Sequence, residues 1–163
     1  MTLKDFNEYL TEDIARKILP DKSRAVSLVE DSNKRHDFLT QVTKNITITD
    51  DNTNYVIEEV YDILISLIRA KMFIDGYEAS GNYAHQAEVS CLRELNFLEA
   101  ERNIMDEIRK FRNGIRYYGR RYMKNEADNC LNFMNSILPK LRKLVKNEKW
   151  EDICYFDSKL NSI

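Results

Sequence analysis

The run from Tyr55 to Tyr77 is apolar on more sides than one face of a helix can use. Val56, Val60, Ile63, Leu64, Leu67, Ile68 and Ile74 recur at helical spacing, and Ile57, Tyr61, Ile65 and Met72 widen the stripe. A helix apolar over most of its circumference has to be surrounded by other elements, so it belongs at the centre of a bundle. Its apolar core "DILISLI" is too short to span a bilayer. The flanking segments supply candidate neighbours. Ala25, Leu28, Val29, Ser32, His36, Leu39 and Val42 mark one helix after Asp21, a residue suited to cap it. Ala127, Cys130, Leu131, Met134, Ile137, Leu138, Leu141, Leu144 and Val145 mark another, with Pro139 predicting a bend near Asn135.

With only 4 Gly and 2 Pro, the chain has little material for the turns a sheet protein needs. No strand pair is expected. Thr11-Glu12-Asp13 reads as a helix start and Pro20 as that helix's end, "KNITITDDNTN" as a surface loop, and residues Tyr83 to about Leu95 as a short helix. The predicted fold is an all-α, four- or five-helix up-and-down bundle over residues 1–146. Residues 147–163, with Trp150, Ile153, Cys154, Phe156 and Leu160, read as a short docking helix. Cys91, Cys130 and Cys154 have no Cys-x-x-Cys spacing, so they predict neither a disulfide framework nor a zinc site. No motif calls for a metal or another cofactor. The N-terminal residues lack the apolar stretch of a signal peptide, and a cytoplasmic location without a membrane is expected.

Charge is where the sequence turns informative about function. The formal net charge is −2, yet Lys110 to Lys124, "KFRNGIRYYGRRYMK", has six cationic side chains and no acidic one. A solvated helix face usually mixes signs, so an unmixed run points toward an anionic partner. Projected at about 100° per residue on a helix from Glu101 to Met123, Ile104, Ile108, Phe111, Ile115, Tyr118 and Tyr122 are expected to face the core. Arg109, Asn113, Arg116, Tyr117 and Arg120 then point away from it, with Arg112 on their flank. Gly114 costs the helix about 1 kcal/mol relative to Ala. It therefore marks a place where a partner helix or a phosphate approaches the backbone. The two histidines lie elsewhere. His36 falls in an apolar register, as a structural histidine does. His85, with Glu88 one turn on, reaches the basic segment only if the fold brings it there.

Arg112-Asn113-x-x-x-Tyr117 resembles the Arg-Asn-x-x-x-His signature of HEPN domains. The resemblance extends over about Leu10 to Leu144, through "LPDKSRAVSLVEDSNKR", "TNYVIEEVYDILISLIRAKMFIDGYEA" and "NYAHQAE". It implies a helical bundle that dimerises, with two motifs meeting in a cleft. It also implies an RNA- or nucleotide-binding protein, or a metal-independent ribonuclease, with a small nucleotidyltransferase as a possible partner. On that resemblance Arg112 matches the catalytic arginine and Asn113 the residue that orients it. Arg109, Arg112, Arg116 and Arg120 are the expected phosphate-binding side chains. Tyr117 stands where the family's histidine would be. A phenol titrating near ~10 is a poor base at neutral pH, though it still donates a hydrogen bond or stacks on a base. The expectation is retained binding with cleavage reduced or lost. Two alternatives stand beside it: a protein-interaction module, and an active ribonuclease using Tyr117 or His85. The resemblance predicts a homodimer, which sedimentation would report as a mass near twice the 19.3 kDa of the chain. A single-subunit mass at micromolar concentration would contradict it.

Overall fold

The computed structural model describes residues 3–146. In chain order these form α1 (Phe6–Thr11), β1 (Ala15–Lys17), α2 (Lys22–Asn45), α3 (Thr53–Asp75) and β2 (Tyr77–Ala79). They continue with α4 (Ala84–Ser90), a 3-10 turn (Cys91–Arg93), α5 (Glu99–Tyr118) and α6 (Lys124–Val145). The fold is an all-α bundle, as expected, with one small antiparallel strand pair added.

The helix expected at the centre is there. Ile57, Val60, Tyr61, Ile63, Leu64 and Leu67 on α3 are all fully buried. α2 and α6 pack along α3 most extensively, and α4 and α5 cover the rest of it. Asp21 caps α2 by accepting from the Arg24 N–H at 2.9 Å. Ser32 on α2 owes its burial to a specific bond, its hydroxyl donating to the Ile63 carbonyl at 2.9 Å. α6 runs on through Pro139, where the ring leaves the Asn135 carbonyl without its helical donor. Cys91 and Cys130 are buried free thiols, and burial pushes both up to about 12, so they stay protonated and inert. Cys154 and the expected docking helix at residues 147–163 lie outside the described residues.

Three expectations are corrected. Thr11 closes a helix instead of opening one, its hydroxyl donating to the Asn7 carbonyl at 3.0 Å. The segment before Pro20 is a strand, not a helix. The pair itself was not expected: Ala15, Arg16 and Lys17 lie opposite Ala79, Glu78 and Tyr77. Three residues per strand are too few to show a two-residue period. Across the pair Glu78 holds Arg16 at 3.0 Å, and it also reaches Arg24 on α2 at 3.2 Å. No described helix is long and apolar enough to cross a membrane.

Because α3 is enclosed, a cavity cut into it cannot drain to solvent. Leu64→Ala should lower the unfolding free energy by about 2–5 kcal/mol in urea denaturation. A loss under about 1 kcal/mol would mean that α3 is not the packed centre.

Candidate functional site

At the start of α5 the Leu98 N–H donates to the Glu101 side chain at 2.7 Å. It ends two residues beyond Arg116, where Gly119 adopts φ 61, a left-handed conformation that glycine accepts without strain. The expected helix through Met123 is therefore shorter, and Arg120 lies in the following loop rather than on the helix face.

The helix is also rotated from the expected orientation. Met105, Ile108, Arg109 and Arg112 face inward, whereas Ile104 is 39% exposed and Tyr118 76%. The expected outward placement of Arg109 and Arg112 is overturned by the polar groups that meet them inside. Arg109 donates to Asp106 at 2.8 Å, and Asp106 also holds Lys110 at 2.6 Å. The Arg112 guanidinium lies over the Tyr61 ring, 5.6 Å from its centroid. Hydrophobic spacing alone weighed the arginines as polar and the tyrosine as apolar. Their long stems and the face of a tyrosine ring make such a buried arrangement possible.

The four arginines thus meet different fates. Arg109 and Arg116 are already neutralised, the latter by Glu58 at 2.8 Å and Asp62 at 3.8 Å. Arg120 sits 5.9 Å from the Tyr118 ring centroid and has no carboxylate partner among the described residues. Arg112 is only 8% exposed and also forms no ion pair among the described residues. Its sole hydrogen bond there is a long one to the Asn113 side-chain oxygen at 3.5 Å, and its Nε is buried with no partner. Asn113 is half-buried beside it. Tyr117 is 70% exposed and the structure does not bring its hydroxyl to Arg112.

Gly114 does mark a close approach, but the approaching group is the chain's own. The loop after α5 folds back so that the Arg120 N–H donates to the Gly114 carbonyl at 3.0 Å. A Cβ at this glycine would collide with the Tyr122 hydroxyl and lie 3.2 Å from Arg120 Cδ. Tyr122 is held there by its contact with Phe111, ring centroids 4.7 Å apart, and by Asn54, which accepts from the Tyr122 N–H at 3.2 Å. The expected approach of a partner helix or phosphate at this glycine is thus replaced by a contact within the chain.

The fold also gathers residues that spacing alone did not join. On α3, Tyr61 and Arg69 are eight residues apart and share a face. On α4, His85 and Glu88 share a face one turn apart. The two faces meet. Glu88, 4% exposed, accepts two bonds from Arg69, at 2.6 and 3.0 Å. The Tyr61 hydroxyl lies 2.6 Å from His85 Nδ1, and Arg69 Nη2 lies 3.3 Å from the same nitrogen. Burial pushes the Tyr61 phenol far above its ordinary range; Glu88 adds to that, while Arg69, Arg112 and Arg109 oppose it. Tyr61 therefore keeps its proton. His36 is remote from this group, beside Asp37, and burial holds it below the usual histidine range. The sequence signal for Arg69 was a charge directly after the uncharged run of residues 63–68, and Tyr61 gave no separate one.

Among the described residues, no group of three or more His, Cys, Asp or Glu side chains is placed to hold a metal ion. Comparison with family models, curated proteins and solved structures gives no match.

Gly114→Ala should lower thermal stability, even though alanine favours a helix by about 1 kcal/mol. In a Tyr122→Phe background, which removes the clashing oxygen, the same substitution should cost less. Equal costs in both backgrounds, read from thermal melts, would show that Tyr122 is not what excludes a side chain at this position.

Proposed function

We propose that this protein binds RNA or nucleotide phosphate through the C-terminal half of α5, with Arg112 as the anchoring side chain. The observation that supports this reading is the buried Arg112 guanidinium, which meets an aromatic ring and a neighbouring amide but no carboxylate. A buried charge without a counter-ion is costly to keep, so its retention is explained by an anion that arrives from outside. Arg120, exposed on the adjoining loop, extends the positive field. Arg109 and Arg116 contribute less, because each is already committed to acidic side chains.

Cleavage on this reading is reduced or absent. Tyr117 points to solvent and does not reach Arg112, and a phenol is a weak base at neutral pH. The exposed apolar side chains on the same helix, Ile104 and Tyr118, favour a second role. We propose that they contribute, at the two ends of α5, to a contact that joins two copies of the chain or docks a protein such as a nucleotidyltransferase.

The affinity for single-stranded RNA, measured over a series of salt concentrations, tests the binding role. Each phosphate contact contributes a slope near ~−0.7 in log affinity against log salt. Arg112→Gln should weaken binding about tenfold or more and flatten the slope, while Arg116→Gln, whose partner acids stay behind, should do less. Unchanged binding by Arg112→Gln at every salt concentration would overturn the assignment and put the protein-docking role first.

A further inference from the structure

We propose that His85 is the proton-carrying half of the Arg112 site. In this arrangement one phosphodiester is held between the Arg112 guanidinium and the imidazole Nε2, and binding takes up a proton at His85. The proposal rests on the binding role proposed above and adds to it a second group from a different helix.

Geometry carries it. Arg112 and His85 both meet Tyr61. Arg112 lies over the Tyr61 ring, and His85 Nδ1 is 2.6 Å from the Tyr61 hydroxyl. The Arg112 side chain is more than nine-tenths buried, and its Nε lacks a partner. His85 is better exposed, at 30% of its side chain. Its Nε2, across the ring from the bonded Nδ1, makes no hydrogen bond among the described residues and is not a buried orphan. A buried cation and an outward-facing imidazole nitrogen thus flank one tyrosine.

The surrounding groups suit a histidine that changes charge. A phenol hydroxyl both donates and accepts. When His85 is neutral, the Tyr61 O–H donates to Nδ1. When His85 is protonated, Nδ1–H donates instead to the Tyr61 oxygen or to Glu88 Oε2, 3.4 Å away. The other charged groups around the imidazole are already matched. On α3 and α4, Arg69 is held by Glu88; on α5, Arg109 is held by Asp106. From α1, Tyr9 reaches Gln86 at 3.3 Å and adds no charge. Arg112 is left as the unmatched positive charge beside Tyr61. An anion bound between Arg112 and His85 would offset that charge. A nearby anion also favours the charged form of an imidazole, so proton uptake and phosphate binding reinforce each other.

The sign of the pH dependence follows. Affinity should rise as pH falls, because the charged imidazole is the form that pairs with an anion. A short oligouridylate without terminal phosphates is the probe, since its phosphodiesters do not titrate near neutral pH. Between about pH 8 and about pH 6 its affinity for the intact chain should increase about threefold or more. His85→Gln, which keeps a hydrogen-bonding group beside Tyr61, should flatten that increase. In the unaltered protein, the His85 imidazole proton resonances should move on adding the oligonucleotide, and those of His36 should not.

Affinity that is level across this pH range, yet still depends on salt and on Arg112, would overturn the role of His85 and leave the binding role standing. A pH dependence that persists in His85→Gln would overturn it equally. No binding at any pH or salt concentration would remove both proposals together.

Discussion

The enclosure of α3 is the constraint on which the rest of the structure depends. A helix buried around nearly its whole circumference has no free side on which to leave a polar group, and each one it carries must be met from a neighbouring element. The neighbours are arranged accordingly. Ser32 reaches in from α2 to the Ile63 carbonyl, Glu88 from α4 meets Arg69, and His85 meets the Tyr61 hydroxyl. At the rim, Glu58, Glu59 and Asp62 sit where α3 comes near the surface and collect Arg116 from α5 and Arg35 from α2. The polar groups of one apolar helix thus specify how α2, α4 and α5 are set around it.

That arrangement accounts for a basic segment in a slightly acidic protein. The run from Arg109 to Lys124 has no acid of its own, but the fold supplies acids from elsewhere: Asp106 from the preceding turn, Glu58 and Asp62 from α3, and Asp128 from α6. Most of the excess is balanced locally. Among the described residues, the cations of this segment that form no ion pair are Arg112, which is buried, and Arg120 and Arg121 on the loop after α5. A uniformly basic face would attract any polyanion. On the proposed binding role, one unmatched guanidinium beside Tyr61 makes a narrower demand, for an anion that fits.

The helices were legible because their signals are long. α3 shows its apolar excess over six turns, and α2 and α6 show theirs over comparable lengths. The strand pair was not legible, since its residues pair across a wide sequence gap and each strand is only three residues long. The site was half legible. Arg112, Asn113 and the neighbouring arginines stand out by composition, but the face they occupy does not follow from periodicity. Counting Arg109 and Arg112 as polar sent them to solvent, whereas Asp106 and Tyr61 bring them inside. Gly114 was correctly read as a point of close approach, with the wrong occupant, because a chain folding back at Gly119 leaves no local pattern. The joining of Tyr61 and Arg69 to His85 and Glu88 depends on how α3 and α4 pack, which one-dimensional spacing does not state.

The central claim is that Arg112 is kept buried for an anion rather than for the fold, and its stability and binding should therefore part company. Arg112→Met keeps the apolar stem and removes the charge. Thermal unfolding of this variant without RNA, beside its RNA affinity, is the most direct test. A side chain retained for function should be replaceable with no loss of stability, or with a gain, while RNA binding falls about tenfold or more. A variant that unfolds at markedly lower temperature, yet binds RNA as the parent does, would show that Arg112 serves the core and that the anion site lies elsewhere.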